Sequence, residues 1–445
     1  MLENILAERK KKLNNLKKAG VNPYPSKVRR TISIAEAVND FDKLSKTSRS
    51  LSVVGRIMAL RDQGSLIFID LRDENGKVQV VIKKNKLKKF SLLKENLDTG
   101  DFLSITGILF KTQKGEKSIE ANSVEIITKA MRPLPAQWYG LKDVEERFRR
   151  RYLDIILNPA IKDKIIERSQ IIQNIRENLF KEGFLEVETP ILQPLAGGAR
   201  ARPFITHHNA LGADFYLRIA PELYLKRLLV SGFEKIFEIG RDFRNEGIDR
   251  EHNPEFTMLE LYWAYQDWEG LMKFSEKVLK DFFPGKWSKI TFAEAVRKYS
   301  KKDIKKLKTE EIDDTFKKEV RPKIIKPTLV THYPKSISPL AKACFNEPEL
   351  TERFQLVVDG SEVINGFSEL NDPIDQRERM EEQERQYRAG DKEASRLDQD
   401  FLEALEFGMP PAAGLGIGID RLVALATKSH SLKEVIIFPT LKPKL

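Results

Sequence analysis

Two arginines are the first candidates for chemistry in this chain of 445 residues. Arg244 begins a highly charged loop, residues 244–256 (RNEGIDREHNPEF), that lies between two apolar, strand-like segments. Arg421 follows the glycine-rich sequence GLGIGID, where the missing side chains let a ligand approach the backbone. Because a guanidinium is permanently charged and can contact phosphate bidentately, both arginines are candidate ligands of an anionic triphosphate. The glycine pattern alone is more often explained by tight packing.

Glu260 points to a ligand of the opposite charge. The segment EFTMLELYWAY alternates, which places Glu260 on one strand face with Phe256, Met258 and Tyr262. A buried carboxylate is costly unless a cation meets it, and no obvious basic partner lies nearby in sequence on that face. An external cation is therefore a candidate ligand.

Two further segments add acidic and polar groups to this prediction. VINGFSEL places Asn365, Phe367 and Glu369 on one face of another strand, and Glu222 lies at the start of a helix. Three carboxylates and an amide could hold a zwitterion whose side chain is cationic. A structural ion pair is the simpler explanation of any single one of these glutamates.

The elements that must position these residues occupy residues 151–445. The strand-like FEKIFEIGRDFR precedes the charged loop, so the loop is predicted to join two antiparallel strands as a long hairpin. A long helix ending at Gly183, a strand over FLEVETPIL and a closing strand that runs into a helix are also predicted. Residues 285–335 are Lys-rich and weakly periodic, and they predict a small insertion, either a helical hairpin or a surface loop.

Residues 51–130 have a different sequence pattern, which is typical of short strands. Five short strands separated by turn signals favour a small Greek-key barrel such as an OB fold over a sandwich. Phe68 is expected on the strand face opposite its apolar neighbours and, with Gln79, could stack on and hydrogen-bond single-stranded bases. A core position is the alternative for Phe68.

The remaining segments are a lead-in and a linker. Residues 1–50 start with an amphipathic helix over residues 1–20, whose basic face is either solvated or in contact with a phosphate backbone. Residues 131–150 begin with a Pro-rich stretch and are predicted to link the two domains.

Composition narrows the function classes. Lys plus Arg (77) exceed Asp plus Glu (66), and the net charge of +11 fits a polyanionic partner such as nucleic acid, although solubility alone also explains it. The single cysteine, Cys344, excludes an internal disulfide and a Cys-rich metal site, so a reducing cytoplasm is the expected location. No segment approaches the ~20 apolar residues of a membrane helix.

Together these segments closely resemble the class II aminoacyl-tRNA synthetases, and within them the lysine-specific members. FLEVETPIL resembles motif 1, FEIGRDFRNEGIDREHNPEFTMLELYWAY resembles motif 2, and GLGIGIDRL resembles motif 3. GGARARPFITHHN, YPKSISPLAK and NGFSELNDP, which lie between the motifs, resemble the lysine-specific branch. The resemblance covers nearly the whole chain, and its motifs occur in the family's order.

The resemblance implies an α+β fold, with an N-terminal OB-fold anticodon-binding barrel and a catalytic domain built on an antiparallel sheet flanked by helices. It implies ATP-dependent formation of lysyl-adenylate and transfer of the lysyl group to tRNA(Lys), with ATP and Mg²⁺ as cofactors, L-lysine as substrate and a homodimer as the assembly. By motif position it assigns catalysis to Arg244, Arg421 and Glu246; ATP binding to these three with His252 and Phe256; lysine binding to Gly198, Glu222, Glu260, Tyr262, Asn365, Phe367 and Glu369; metal binding to Glu362 and Gln355; and anticodon reading to Phe68 and Gln79.

Two departures from the family pattern affect the metal and the phosphates. Gln355 stands where a second acidic metal ligand is usual, and a neutral amide oxygen would bind Mg²⁺ more weakly. Glu362 has the opposite strand parity to Asn365 and Glu369, so a β-bulge is needed to turn it inward. The second departure is Glu251, which would repel a triphosphate if it pointed inward, and we therefore expect it to face solvent.

Three other functions are compatible with parts of this pattern. An aspartyl or asparaginyl synthetase would keep the fold, but it would need a basic residue where Glu260 and Glu369 are predicted. A paralogue that lysylates proteins usually lacks the anticodon domain. A non-catalytic tRNA-binding protein is supported by Gln355 alone.

Overall fold

The computed structural model describes residues 2–135 and 143–444 and divides into two compact units, residues 1–140 and 141–445. The part of the predicted linker between residues 136 and 142 lies outside the described residues.

The first unit is a five-stranded barrel that closes in the order β1-β2-β3-β5-β4, with β3 and β5 parallel. Alternate side chains point inward: Ile67 and Ile69 of β2 are buried, whereas Phe68 between them is only half-buried. The OB-fold prediction is confirmed. Its elements are α1 (Leu2–Lys18), α2 (Ile34–Asn39), α3 (Phe41–Lys46), β1 (Leu51–Asp62), β2 (Leu66–Arg72), β3 (Lys77–Lys83), α4 (Phe90–Asn96), β4 (Phe102–Lys111) and β5 (Lys117–Thr128).

The N-terminal helix α1 is anchored to the barrel by one apolar and one basic side chain. Leu16 is fully buried in the barrel's core cluster. Arg9 donates to the carbonyl oxygens of Ala130 at 2.8 Å and Thr99 at 3.0 Å. Most of the helix's other Lys and Arg side chains stay exposed, so a basic face is available along α1.

The second unit is built on an eight-stranded sheet of order β12-β13-β14-β15-β16-β11-β10-β6, which is antiparallel except at its two edges. Its strands are β6 (Leu185–Glu186), β7 (Leu192–Gln193), β8 (Ile205–His208), β9 (Ala213–Leu217), β10 (Lys235–Phe243), β11 (Glu255–Ala264), β12 (Ser288–Thr291), β13 (Thr328–Thr331), β14 (Arg353–Val358), β15 (Ser361–Ser368) and β16 (Ala412–Gly418). Strands β7, β9 and β8 form a separate small sheet.

Helices cover the apolar face of the large sheet. Leu259 and Leu261 of β11 and Ile364 of β15 join a core cluster with residues of α7, α9 and α14. The helices of this unit are α5 (Val144–Arg149), α6 (Arg151–Leu157), α7 (Pro159–Lys181), α8 (Glu222–Val230), α9 (Trp268–Leu279), α10 (Phe292–Ser300), α11 (Thr309–Thr315), α12 (Pro373–Arg388), α13 (Gln399–Glu406), α14 (Ile419–Ala426) and α15 (Leu432–Val435). The opposite face of the central strands carries the candidate site residues Glu260, Tyr262, Asn365 and Phe367.

Local predictions differ from the structure in three places. FLEVETPIL is not one strand, because only β6 and β7 at its two ends pair with other strands. The predicted insertion, residues 285–335, contributes β12 and β13 to the main sheet, and its helical part lies between them. Helix α5 lies within the predicted linker.

Candidate active site

The central strand of the site, β16, presents glycines instead of side chains. In the strand register, Gly416 lies between Glu260 and Asn365, and Gly414 lies between Tyr262 and Phe367. A Cβ atom added to Gly414 would lie 2.4 Å from Glu369 Oε1. The glycine-rich sequence therefore makes a trough between β11 and β15, and side chains of the two outer strands form its walls.

Three buried carboxylates and one lysine gather at one end of the trough. Lys226 Nζ lies 2.7 Å from Glu222 Oε1 and 2.5 Å from Glu369 Oε2, and its side chain is fully buried. Tyr262 donates its hydroxyl hydrogen to Glu260 Oε2 at 3.0 Å. The acidic cluster (Glu222, Glu260 and Glu369, with Lys226) thus carries three acids for one ammonium. The sequence did not predict Lys226 as a site residue. Its ammonium group contacts Glu222 and Glu369, two of the residues predicted to bind the lysine substrate.

The cluster still has an unused acceptor. Glu369 is fully buried, and its Oε1 atom has no hydrogen-bond partner among the described residues. An orphaned buried carboxylate oxygen costs free energy unless a ligand meets it. Since Lys226 contacts the other oxygen, Glu369 Oε1 remains available to a second cation.

The pKa shifts in the cluster are those expected where carboxylates outnumber cations. Burial raises the pKa of Glu369 to about 8 in spite of the neighbouring Lys226 ammonium. Burial and the charge of Glu222 raise the pKa of Glu260 well above its usual range. Although burial acts in the opposite direction, the two carboxylates hold the pKa of Lys226 above its usual value. A cationic ligand bound here would favour the ionised forms of these glutamates.

The other wall of the trough offers polar donors. Asn365 Oδ1 accepts a hydrogen bond from Arg353 Nε at 2.9 Å, which leaves the amide N–H groups of Asn365 for a ligand. Phe367 is half-buried, with its ring 5.5 Å from Lys226 Nζ. Gly198 has φ of +88°, and a Cβ there would lie 3.1 Å from the Cβ of Glu222, so its backbone packs closely on that glutamate. The lysine ligands predicted from the sequence therefore lie in one region.

The charged loop forms the opposite end of the site. It joins β10 to β11, as predicted, and the Arg244 guanidinium lies 5.0 Å from the centre of the Phe256 ring. The hydrogen bonds from Arg244 to Ile219 O are long, at 3.4 and 3.5 Å. Arg244 is therefore weakly held and free to contact an anion next to an aromatic surface.

A second arginine approaches the loop from helix α14. Arg421 Nη2 lies 3.4 Å from His252 Nε2, and Arg421 Nη1 donates to Glu362 O at 3.3 Å. His252 is oriented by Asp249, whose Oδ2 lies 2.9 Å from His252 Nδ1. Glu246 is exposed and makes no hydrogen bond or ion pair with the described residues. These groups are arranged around an open, partly basic region at the end of the trough.

A buried ion-pair network lies at the end of β10, close in sequence to Arg244. Arg218 is fully buried and contacts Glu238 and, at 3.1 Å, Asp242 Oδ1. Burial raises the pKa of Asp242 to about 7, although Arg218 and Arg244 lower it. This network holds the end of β10, where Arg244 begins the loop.

The structure contains the bulge that Glu362 requires. The β14–β15 register shifts between Leu356 and Val357, which changes the parity of Glu362 relative to Asn365. Gln355 is buried, and its Oε1 accepts a hydrogen bond from Tyr333 at 2.9 Å. In residues 2–135 and 143–444 no group of three or more His, Cys, Asp and Glu side chains could hold a metal ion.

Glu251 does not simply face solvent, and this expectation is wrong. The residue is half-buried, and its Oε1 lies 3.5 Å from Ser361 Oγ. Its charge also raises the pKa of Arg421, which burial lowers overall. Glu251 is thus close enough to act on the basic end of the site.

Comparison with protein families matches both parts of the chain. Residues 143–442 match the model described as tRNA synthetases class II (D, K and N), and residues 51–127 match the OB-fold nucleic acid binding domain. The chain belongs to the class II tRNA synthetases. This membership agrees with the α+β fold and with the strand–loop–strand that carries Arg244.

Curated members of this synthetase family match along the full length. The Lysine--tRNA ligase of Carboxydothermus hydrogenoformans is 45% identical, covering 100% of this chain and 99% of that protein. Those of Moorella thermoacetica (99% and 98% covered) and Clostridium perfringens strain SM101 (98% and 96% covered) are 45% and 46% identical. No helix in the described part of the chain is long and apolar enough to cross a membrane.

Sequence reasoning missed several residues of this synthetase site. Lys226, four residues after Glu222 on α8, reads in sequence as an ordinary surface ion pair, and its burial depends on the sheet beneath it. Arg353 lies across from Phe367 and turns toward Asn365. Strand parity relative to Gln355 and Asn365 could have indicated Arg353, whereas nothing local indicates Lys226.

Proposed function

We propose that the chain is a lysine–tRNA ligase, which activates L-lysine with ATP and transfers it to the 3′ end of tRNA(Lys). The observation that supports the substrate most directly is the charge of the acidic cluster. With Glu222, Glu260 and Glu369 ionised and Lys226 protonated, the cluster has a net charge of −2. The α- and ε-ammonium groups of L-lysine supply two positive charges, and Glu369 Oε1 is an unused acceptor for one of them.

The same charge argues against the other substrates of the family. An aspartate side chain would lie against Glu260 and Glu369, and Lys226, the cation found beside them in the described part of the chain, is already shared by two carboxylates. A neutral asparagine side chain would leave the excess negative charge buried. A lysine substrate is the one that neutralises the pocket.

In the proposed binding mode, the two ends of the site hold the two reactants. Glu222 and the backbone at Gly198 bind the α-ammonium, Glu260, Tyr262 and Glu369 bind the ε-ammonium, and Phe367 contacts the aliphatic stem. The amide of Asn365 donates to the substrate carboxylate. Phe256 stacks on adenine, with Arg244, Glu246, His252 and Arg421 around the nucleotide.

The chemistry requires positioning and charge stabilisation, with no side-chain nucleophile. One oxygen of the lysine carboxylate attacks the α-phosphorus in line, the bond to the pyrophosphate oxygen breaks, and lysyl-adenylate and pyrophosphate form. Arg244, the first residue of the loop, can stabilise charge on the α-phosphate, and Arg421 can stabilise charge on the leaving group. The terminal ribose hydroxyl of tRNA then displaces AMP from the adenylate.

A magnesium ion fits this site at Glu362. Its carboxylate is inward through the bulge and about a quarter exposed, and Mg²⁺ is commonly held by one or two carboxylates together with phosphate oxygens. When bound, the ion would neutralise phosphate charge. Gln355 stays a predicted second ligand, but one lone pair of its amide oxygen is already used by Tyr333.

The remaining parts of the proposal concern tRNA and assembly. Phe68 and Gln79 are on the outer face of β2 and β3, where Phe68 can stack on an anticodon base, while Gln79 Oε1 accepts from Ser118 at 3.0 Å. The basic face of α1 would contact tRNA backbone. Exposed apolar side chains in the motif 1 segment, Leu185, Ile191 and Leu192, favour a homodimer interface there. We place the enzyme in the cytoplasm.

Amino-acid-dependent ATP–pyrophosphate exchange tests this function directly. The purified chain should catalyse exchange with L-lysine and should charge tRNA(Lys). Exchange with aspartate or asparagine instead would identify one of the other family activities. If none of the twenty amino acids supports exchange at saturating Mg²⁺, the chain is a non-catalytic tRNA-binding protein, and lysylation of a protein without tRNA charging would indicate the protein-modifying paralogue.

A further inference from the structure

Arg321 is a mostly buried cation whose guanidinium is incompletely hydrogen-bonded within the described part of the chain. Its side chain is 13% exposed, and its Nε atom is buried with no hydrogen-bond partner among the described residues. The nearest carboxylate oxygen, Glu362 Oε2, lies 3.8 Å from Arg321 Nη1, which is too long for a hydrogen bond. A buried guanidinium normally satisfies its donors through close, often bidentate contacts, so this side chain is poised for an anion that it does not contact here.

The position of Arg321 is fixed by its neighbours in sequence. It begins a short 3-10 turn, Arg321–Lys323, at the end of the insertion between β12 and β13. Val320 and Ile324 on either side of it are buried in the hydrophobic cluster of that insertion. The backbone is therefore anchored while the guanidinium extends toward β15 and Glu362.

Arg321 and Arg421 share the same region. Arg421 Nη1 donates to the carbonyl oxygen of Glu362, the residue whose carboxylate faces Arg321. Both guanidinium groups therefore lie next to Glu362. Two like charges held together near an open site are stabilised when a polyanion binds between them.

We propose that Arg321 is a second phosphate-binding arginine, which together with Arg421 contacts the β- and γ-phosphates of ATP and then the pyrophosphate product. This inference rests on the proposed function for its ligand and adds a residue from the insertion to the site. It also accounts for the neutral Gln355, because a fixed guanidinium supplies positive charge to the phosphates where the resemblance implies a second acidic metal ligand. Glu362 and Glu251 balance the two arginines before the nucleotide binds.

The decisive experiment compares ligands that differ only in the terminal phosphates. Binding of ATP, inorganic pyrophosphate and AMP to the full chain is measured by calorimetry for the wild type and for Arg321→Gln. The Kd values of ATP and pyrophosphate should rise roughly 10- to 100-fold, as expected for lost hydrogen bonds between charged groups, while the Kd of AMP should change less than about twofold. Arg321→Lys keeps the positive charge but loses the bidentate geometry of the guanidinium. It should therefore raise the Kd values of ATP and pyrophosphate by a smaller factor than Arg321→Gln.

Arg297→Gln is the matched control, because Arg297 is exposed on α10 of the same insertion. It should leave all three Kd values unchanged. If Arg321→Gln raises the Kd values of ATP and AMP equally, Arg321 only supports the fold. If the Kd of ATP is unchanged, Arg321 only forms an ion pair with Glu362. Either result overturns the proposal. A wild-type chain that binds ATP but shows no lysine-dependent exchange would refute the proposed function and leave this binding comparison valid.

Discussion

Replacement of Glu369 by glutamine is the sharpest test of the acidic cluster. The amide keeps the size of the side chain but removes one negative charge, so the cluster's net charge falls from −2 to −1 while Lys226 keeps its 2.7 Å contact with Glu222. Glu369 is fully buried, so solvent does not screen the loss. Removing one partner of a buried ion pair costs about 3–5 kcal/mol, because the other charge is left uncompensated. For the bound ε-ammonium this corresponds to a roughly 150- to 5,000-fold fall in kcat/KM for lysine.

The assay is lysine-dependent ATP–pyrophosphate exchange, with ATP affinity measured separately. The Kd of ATP should stay near the wild-type value, because Glu369 lies at the far end of the trough from Arg244 and Arg421. Glu347→Gln makes the same chemical change at an exposed position and should leave both quantities unaltered. A folded Glu369→Gln enzyme that loses less than about fivefold in kcat/KM would refute the assignment of this carboxylate to the substrate ammonium.

Three further predictions follow from the same geometry. In Gly414→Ala, the new Cβ would lie 2.4 Å from Glu369 Oε1 and 2.5 Å from the Tyr262 ring, so lysine binding should weaken roughly 5- to 150-fold with little change in ATP binding; normal lysine affinity would contradict the trough. Because the pKa of Glu369 is raised to about 8 and that of Glu260 is also raised, the Kd of lysine should fall as pH rises from 6 to 8, by at most roughly tenfold per unit for each proton released, and calorimetry in two buffers of different ionisation enthalpy should detect proton release. Net uptake of protons when lysine binds would contradict the assignment of these carboxylates to the substrate ammonium groups. Phe68→Ala should raise the KM for tRNA roughly 5- to 150-fold through lost base stacking, with pyrophosphate exchange unchanged; a fall in exchange would mean that Phe68 supports the fold.

Strand periodicity predicted the site better than it predicted the local elements. Glu260 and Tyr262 could be assigned to one face from alternation alone, and the structure places Gly416 and Gly414 beside them in register. The parity of Glu362 conflicted with this rule and therefore required a bulge, which the structure contains. FLEVETPIL could not be predicted correctly, since its strand-like composition does not reveal that only its ends find a pairing partner.

Charge contacts between distant segments were the part that the sequence could not supply. Glu251 is expected in solvent from the sequence because it would repel a triphosphate, but Ser361 and Arg421 lie beside it in the fold. Arg321 lies in a segment that reads as a Lys-rich insertion, and nothing local indicates that β15 brings Glu362 next to it. In both cases the partner is more than 40 residues away, beyond any periodic pattern.

Lys226 changes how the acidic pocket selects its substrate. If all three carboxylates were free, the pocket would carry one more negative charge than a diammonium ligand can neutralise. With Lys226 fixed between Glu222 and Glu369, the uncompensated charge equals that of the two ammonium groups of lysine, and a neutral or anionic side chain leaves a buried imbalance. Specificity then depends on the charge that the protein leaves unpaired, and not on the number of acids in the pocket. The internal lysine is therefore compatible with lysine recognition, since it pairs with Glu369 through one oxygen and, among the residues that the structure describes, Glu260 forms no ion pair with a basic side chain.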